Sequence, residues 1–222
     1  MINLLIILTA LLGTSLSLYT PGTAPFELNT VKMQNFEKHA QSRLPIYEKH
    51  FKHYAQQYNI PWTLLAAVAY QESKWDNSAV SHTGVRGLMQ ITEQTAEHIG
   101  LVDRSNPVES IKGGAFYLRY LYEKTPKHLV SSRRWILALA GYNIGWGHVR
   151  DAYRLSAKLK MNANRWDDMK VVLPMLEEKE HYSELIYGFA RGSETVDFVE
   201  NVFTYFGYLN QRFSPGTAVA IL

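Results

Sequence analysis

Glu72 closes an apolar run, Leu64-Leu65-Ala66-Ala67-Val68-Ala69-Tyr70-Gln71, and is followed by Ser73, Lys74 and Trp75. Leu65, Val68 and Glu72 stand three and four residues apart, which places them on one helix face. A carboxyl on an inward stripe resists ionising, so its pKa rises. An acid that keeps its proton near neutral pH can deliver it to a leaving oxygen, the step that glycosidic-bond cleavage needs. The alternative for Glu72 taken alone is a charge at the last turn of a helix, reaching out to water.

Three further strings bear on that choice. After a turn-rich stretch from Asp76 to Gly84 comes Gly87-Leu88-Met89-Gln90-Ile91. Ala138-Leu139-Ala140-Gly141-Tyr142-Asn143-Ile144-Gly145 lies far downstream. Ala190-Arg191-Gly192-Ser193-Glu194-Thr195-Val196-Asp197-Phe198-Val199 lies near the C-terminus. In this order, the four strings together resemble the lysozyme-like domain of lytic transglycosylases, enzymes that cut bacterial peptidoglycan. Within that family the likeness is greatest to the membrane-bound F type. It runs from about Ile60 to about Leu209.

The resemblance implies an all-α, lysozyme-like catalytic domain with a substrate cleft and a single catalytic glutamate, here Glu72. In the family that residue protonates the glycosidic oxygen between N-acetylmuramic acid and N-acetylglucosamine. Its carboxylate then takes the proton of the sugar's own 6-hydroxyl. That hydroxyl closes on the anomeric carbon and leaves a 1,6-anhydro-N-acetylmuramoyl end, without consuming water. A conventional glycosidase needs a second carboxyl across the bond. Asp76, before Asn77, reads as a turn residue. Glu93, Glu97 and Asp103 are marked by no motif, and the resemblance argues against a second acid.

A substrate-binding set follows from the same resemblance. Ser73 matches the serine after the catalytic glutamate and is expected on the acetamido group or on Glu72; the alternative is a hydroxyl bonded to its own helix. Ser81 matches a substrate-contacting serine of the soluble members, or is a turn former. Gln90 carries an amide suited to sugar hydroxyls. It matches the soluble members where the F type has methionine, whereas Thr92 matches the F type. Tyr142 and Asn143 match the family's Tyr-Asn pair. The phenol is expected to stabilise charge at the anomeric carbon or bond to Glu72, and Asn143 to shape the cleft wall. Glu194 matches a cleft glutamate, or is a first-turn acid favoured by the helix dipole. Phe198 stands where soluble members often have tyrosine. Trp75 reads as core or cleft wall.

Composition narrows the alternatives. The 222 residues carry a formal charge of only +3 and no cysteine. Dense Lys/Arg clusters are lacking, so no nucleic-acid partner is expected. Without cysteine there is no disulfide framework, thiolate metal site or cysteine nucleophile. His39, His50 and His53 are scattered without an acid-rich loop, and neither a metal nor a cofactor is expected. Residues 4–18 form an apolar segment, short for a full span of about 20 residues. They suit a secretory signal, with Ser15 and Ser17 at signal-peptidase spacing; the alternative is an uncleaved anchor. Either way the expected location is the periplasm or cell envelope, with membrane association through residues 4–18 where the segment is retained as an anchor. The expected partner is the peptidoglycan glycan strand, and the expected state is a monomer. The large solute-binding domain that precedes the F-type catalytic domain is not expected within these 222 residues. Two rival functions remain: a lysozyme-type hydrolase with water as acceptor, and a non-catalytic wall-binding protein.

The elements that must position these residues are helical. Residues 19–44 read as a Pro/Gly-containing linker and a loose helix, residues 45–211 as the domain and residues 212–222 as a tail. Pro45 opens a helix with Tyr47, Phe51, Tyr54 and Tyr58 on one stripe, and Asn59 stops it. Pro61 opens the Glu72 helix. Thr92 caps a short helix ending at Gly100. Asn106, Pro107 and Glu109 start a helix whose interior glycines, Gly113 and Gly114, predict close approach of another backbone. Ser131 or Ser132 opens the Tyr142 helix, stopped by Gly145. Further helices are expected over Gly147–Leu159 and Asp167–Leu173, with Pro174 interrupting the latter, and over the stripe from Val196 to Asn210. No alternating strand is evident.

Overall fold

Helix boundaries follow the capping chemistry. The computed structural model describes residues 30–213. The expected export segment (residues 4–18), the Pro-containing part of the linker and most of the tail lie outside the described residues. Ten helices make up the described part: α1 (Thr30–Ser42), α2 (Leu44–Gln57), α3 (Trp62–Ser73), α4 (Glu93–Ile99), α5 (Pro107–Lys124), α6 (Ser131–Ile144), α7 (Trp146–Lys158), α8 (Trp166–Met175), α9 (Lys179–Tyr182) and α10 (Gly192–Phe213). Asn106 Oδ1 accepts the N–H groups of Val108 and Glu109 at 2.9 and 3.2 Å, with Pro107 in the first turn. Thr92 Oγ1 accepts the Thr95 N–H at 3.2 Å, and Gly100 ends α4 at φ +68°. The one pairing of extended backbone among the described residues is an isolated bridge, Val80 with Arg86. The all-α expectation therefore holds.

Three local expectations are corrected. Pro174 does not interrupt α8; it lies inside the helix, one residue from its end, where few backbone bonds remain to be lost. The four-residue α9 is absent from the expected helices, because one helical turn carries no readable period. The Gly113–Gly114 pair admits side chains, not a backbone. A Cβ on Gly114 would lie 2.6 Å from Met89 Cε, and one on Gly113 would lie 2.8 Å from Leu101 Cδ2.

The Glu72 helix is the centre of the molecule. Residues Thr63 to Tyr70 are all buried, so α3 is covered on every side and not along one stripe. It packs against α10, α2 and α5. α1 joins the same core: Phe36, fully buried, meets Tyr70, Trp75, Tyr205 and Tyr208 at ring distances of 4.7–5.6 Å. Each such aromatic buries a large apolar area and fixes its neighbours' orientation.

Candidate active site

α3 stops one residue after Glu72 for a reason the sequence does not advertise. Lys74 and Trp75 are both left-handed, at φ +58° and +54°, which costs non-glycine residues about 1–2 kcal/mol each. Three contacts offset that strain. The Trp75 indole is buried, and its Nε1–H donates to Ala66 O at 2.8 Å. Arg43 Nη1 donates to Lys74 O at 2.9 Å. Lys74 Nζ turns back onto the carbonyls of Tyr70 and Gln71 in the last turn at 3.2 and 3.1 Å. The turn thus holds Glu72 in the final turn of a rigid helix.

Glu72 as a residue is half-buried. Among the described residues it makes no hydrogen bond and no ion pair within 4.0 Å. Desolvation by the surrounding protein pushes its pKa up to about 8, against the opposing pull of the Lys74 ammonium. Lys74 is itself held down to about 8, chiefly by burial. Glu72 is therefore a carboxylic acid carrying its proton at neutral pH, which is the state a proton donor needs.

Facing α3 lies the loop between Gly87 and Ile91, and it is fastened from three sides. Ser73 Oγ donates to Leu88 O at 2.8 Å and lies 3.1 Å from Ala69 O. The Met89 N–H donates to Ser110 Oγ at 3.1 Å. The Tyr142 hydroxyl donates to Met89 O at 2.9 Å. Gln90, at φ +46°, spends its amide N–H groups on Gly87 O (2.8 Å) and Ala79 O (3.2 Å). Burial and the charge of Glu72 both push the Tyr142 phenol pKa far up, so the hydroxyl keeps its proton and Tyr142 belongs to the electrostatic surroundings of Glu72. Its ring lies parallel to Phe198 at 6.4 Å and meets Tyr117 at 5.6 Å.

The expected substrate-binding residues divide into groups. Tyr142 and Gln90 converge on the loop opposite Glu72. Ser73 is buried and bonded to backbone, so its hydroxyl fastens the loop. Ser81 forms a turn: its Oγ accepts the Val85 N–H at 3.0 Å and meets Thr83 Oγ1 at 3.0 Å. Asn143 and Glu194 line a concavity of about 290 Å³ between the end of α6, the start of α7 and the start of α10, which Glu72 does not line. Asn143 Oδ1 there accepts the Thr195 hydroxyl at 2.7 Å, and Arg191 Nη1 reaches Glu194 Oε1 at 3.4 Å.

The other acids are occupied elsewhere. Asp76 Oδ1 accepts the Ser78 N–H and hydroxyl at 2.9 and 2.6 Å, which holds its pKa down and makes it the turn residue expected. Glu93 is exposed at 4.0 Å from Arg104. Asp103 Oδ1 accepts from the Ser105 and Asn106 N–H groups at 2.8 and 3.2 Å. Sequence reasoning missed Ser110, Lys74 and the Met89 carbonyl. Ser110 had a signal, four and eight residues before Gly114 and Leu118 on the buried side of α5. A backbone carbonyl leaves no sequence signal.

Residues 49–164 match the transglycosylase SLT domain family. Membrane-bound lytic murein transglycosylase F of Pseudomonas fluorescens Pf-5 is 47% identical over 188 residues, covering 85% of this chain and 39% of that protein. Its counterpart in Maricaulis maris is 47% identical over 175 residues, covering 79% of this chain and 38% of that protein. The chain thus spans about two-fifths of the relatives it matches. Among solved structures, the 70 kDa soluble lytic transglycosylase of Escherichia coli superposes with a TM-score of 0.59 at 24% identity, over 83% of this chain and 27% of that one. An inactive mutant of the lytic transglycosylase Slt from Pseudomonas aeruginosa gives a TM-score of 0.56 at 23% identity, over 78% and 25%. At that identity the likeness establishes the fold.

Proposed function

The chain belongs to the transglycosylase SLT family, and on that premise we propose that it is a peptidoglycan lytic transglycosylase. The observation that carries this reading is Glu72, a desolvated acid held near pKa 8 with no second carboxylate acting on it among the described residues. A single carboxyl that starts protonated suits a mechanism in which one group gives a proton and then takes one back. Glu72 donates its proton to the glycosidic oxygen as the C1–O4 bond of the muramic residue breaks. The resulting carboxylate removes the proton of the 6-hydroxyl, O6 bonds to C1, and Glu72 is protonated again. The protons balance and water is not consumed.

The roles of the neighbouring residues follow from their bonds. Tyr142 sits where its phenol dipole can answer charge at the anomeric carbon, held there by Met89 O. Gln90 keeps its side-chain oxygen for a sugar N–H or O–H, since its N–H groups are committed to the loop. Ser73 and Ser81 act as positioning residues. Asn143 and Glu194 bind the strand away from the scissile bond.

The test is product analysis. Purified residues 19–222 should release muropeptides ending in 1,6-anhydro-N-acetylmuramic acid from isolated sacculi, as read by mass spectrometry. Products with only reducing ends would replace this reading with a hydrolase, and a protein that binds without cutting would replace it with a wall-binding one.

Location is inferred from the apolar segment at residues 4–18 and from the relatives named as membrane-bound. No helix among the described residues is long and apolar enough to cross a membrane. Cell fractionation should place the full chain in the envelope; a cytoplasmic pool with an intact N-terminus would contradict that.

A further inference from the structure

Lys74 stands in a position that suits glycine better. It caps the C-terminal end of α3 at φ +58°, a left-handed backbone that a side chain makes costly and that ends many helices on a glycine. Gly100 ends α4 in that way. What lysine offers here and glycine does not is its side chain.

That side chain runs back over the helix end. Nζ donates to Tyr70 O and Gln71 O, the two carbonyls before Glu72. It lies 4.9 Å from the centre of the Tyr70 ring and 5.9 Å from that of Tyr205 in α10. Lys74 is half-buried, so its ammonium gives up part of its hydration, and carbonyls and ring faces replace it. The carbonyls of a last helical turn carry the negative end of the helix dipole. Glu72 sits in that turn, where an unscreened helix end opposes its ionisation as burial does. Yet the mechanism proposed above needs the carboxylate as well as the acid, because the group that gives the proton must stay ionised until it takes one back.

We propose that Lys74 is a positioning residue for the proton transfers of Glu72: its ammonium, seated on the last carbonyls of α3, offsets the helix dipole and stabilises the carboxylate that forms when the proton leaves. The proposal rests on the cleavage reading above. No bond is made or broken at Lys74; its charge acts through space. The groups around it do not duplicate that action. Arg43 is committed to Lys74 O and to Asp76, at 2.9 and 3.8 Å. His39 of α1 meets the Tyr70 hydroxyl at 3.2 Å, and burial, then Arg43, hold it toward its neutral form. Lys32 of α1 acts on Lys74 and disfavours its charge. Burial keeps the phenols of Tyr70, Tyr142 and Tyr205 protonated. Desolvation raises the Glu72 pKa, and among the described residues the Lys74 ammonium is the charge that opposes it.

The test removes the charge and follows the proton. Lys74→Met keeps the apolar stem, Lys74→Gly takes the left-handed backbone without strain, and Lys74→Arg keeps the charge; circular dichroism checks each fold. In the Met and Gly variants the alkaline limb of kcat/KM on sacculi should move up by roughly 0.5–1 pH unit. Their kcat near neutral pH should fall about two- to threefold, because a weaker acid gives up its proton less readily. Lys74→Arg should hold both close to the parent. A merely structural loss lowers kcat/KM at every pH and leaves the limb in place, and that outcome would overturn the proposal. The carboxyl can also be followed without turnover. In protein labelled at the glutamate carboxyls with an NMR-active carbon isotope, the resonance missing from Glu72→Gln belongs to Glu72. Its titration midpoint should rise with the limb in Lys74→Met and Lys74→Gly; an unchanged midpoint overturns the proposal even where activity falls. A parent chain that cuts no sacculi would overturn the cleavage reading alone, since the midpoint still decides whether Lys74 governs the Glu72 proton.

Discussion

Glu72→Gln should abolish peptidoglycan cleavage while leaving the fold and glycan binding in place. The amide is nearly isosteric but has no proton to give and cannot take one back. General acid–base catalysis contributes about 10²–10⁴-fold, and one group serves both halves of this reaction, so the loss should reach the top of that range. Glu194→Gln is the control. That side chain is exposed and lines the concavity that Glu72 does not, so its loss should cost far less. A folded Glu72→Gln protein that cuts at the parent rate would take Glu72 out of the mechanism.

The same substitution has a pH signature in stability. The folded pKa of Glu72 is about 8, whereas an unfolded glutamate titrates near 4.3. Between those values the folded chain keeps a proton that the unfolded chain has released. The unfolded state binds fewer protons, so stability falls as pH rises through this window, and the loss is complete above the folded value. Glutamine removes that slope. Thermal melts should therefore show the variant gaining on the parent between pH 5 and pH 9; equal pH dependence in the two proteins would mean that the carboxyl is not desolvated. In the active parent, kcat/KM should decline above about pH 8 as the acid loses its proton.

How much of this site could be read in advance depended on whether a feature was local. Glu72 on α3, the Asn106 cap and the Gly145 stop depend on spacing and backbone chemistry within a few residues, and each was legible. The left-handed pair Lys74–Trp75 was not, because the contacts that hold it come in part from distant residues: Arg43 donates to Lys74 O, Phe36 packs on Trp75 and Tyr205 lies under the Lys74 ammonium. Ser73 looked like a ligand for substrate because its neighbour is the acid. Its hydroxyl instead meets Leu88 O, fifteen residues away, a contact that tertiary packing alone creates. Gly114 announced close packing but not its partner, which is Met89.

Gly87→Ala should be among the most destabilising substitutions in the chain and should damage the site as well as the fold. Gly87 stands at φ +96°, a conformation that side chains rarely adopt, and an added Cβ would lie 2.0 Å from Arg104 O. The obstruction is backbone, so no rotamer change relieves it. Strain of about 1–3 kcal/mol and overpacking of about 1–3 kcal/mol together predict a loss of about 2–6 kcal/mol. For a chain of this size that is a fall in Tm on the order of 10 °C. Gly84→Ala isolates the first contribution, because Gly84 has φ +81° but no atom within 4 Å of where a Cβ would stand. It should cost only about 1–3 kcal/mol. Activity adds a second readout. Gly87 O accepts from Gln90, and two residues on Met89 O holds the Tyr142 hydroxyl beside Glu72. Moving the loop displaces both, so cleavage per folded molecule should drop in Gly87→Ala and hold in Gly84→Ala. Equal melting temperatures for the two variants would show that the loop yields at Arg104, and that the Gly87–Met89 segment does not hold the phenol in place.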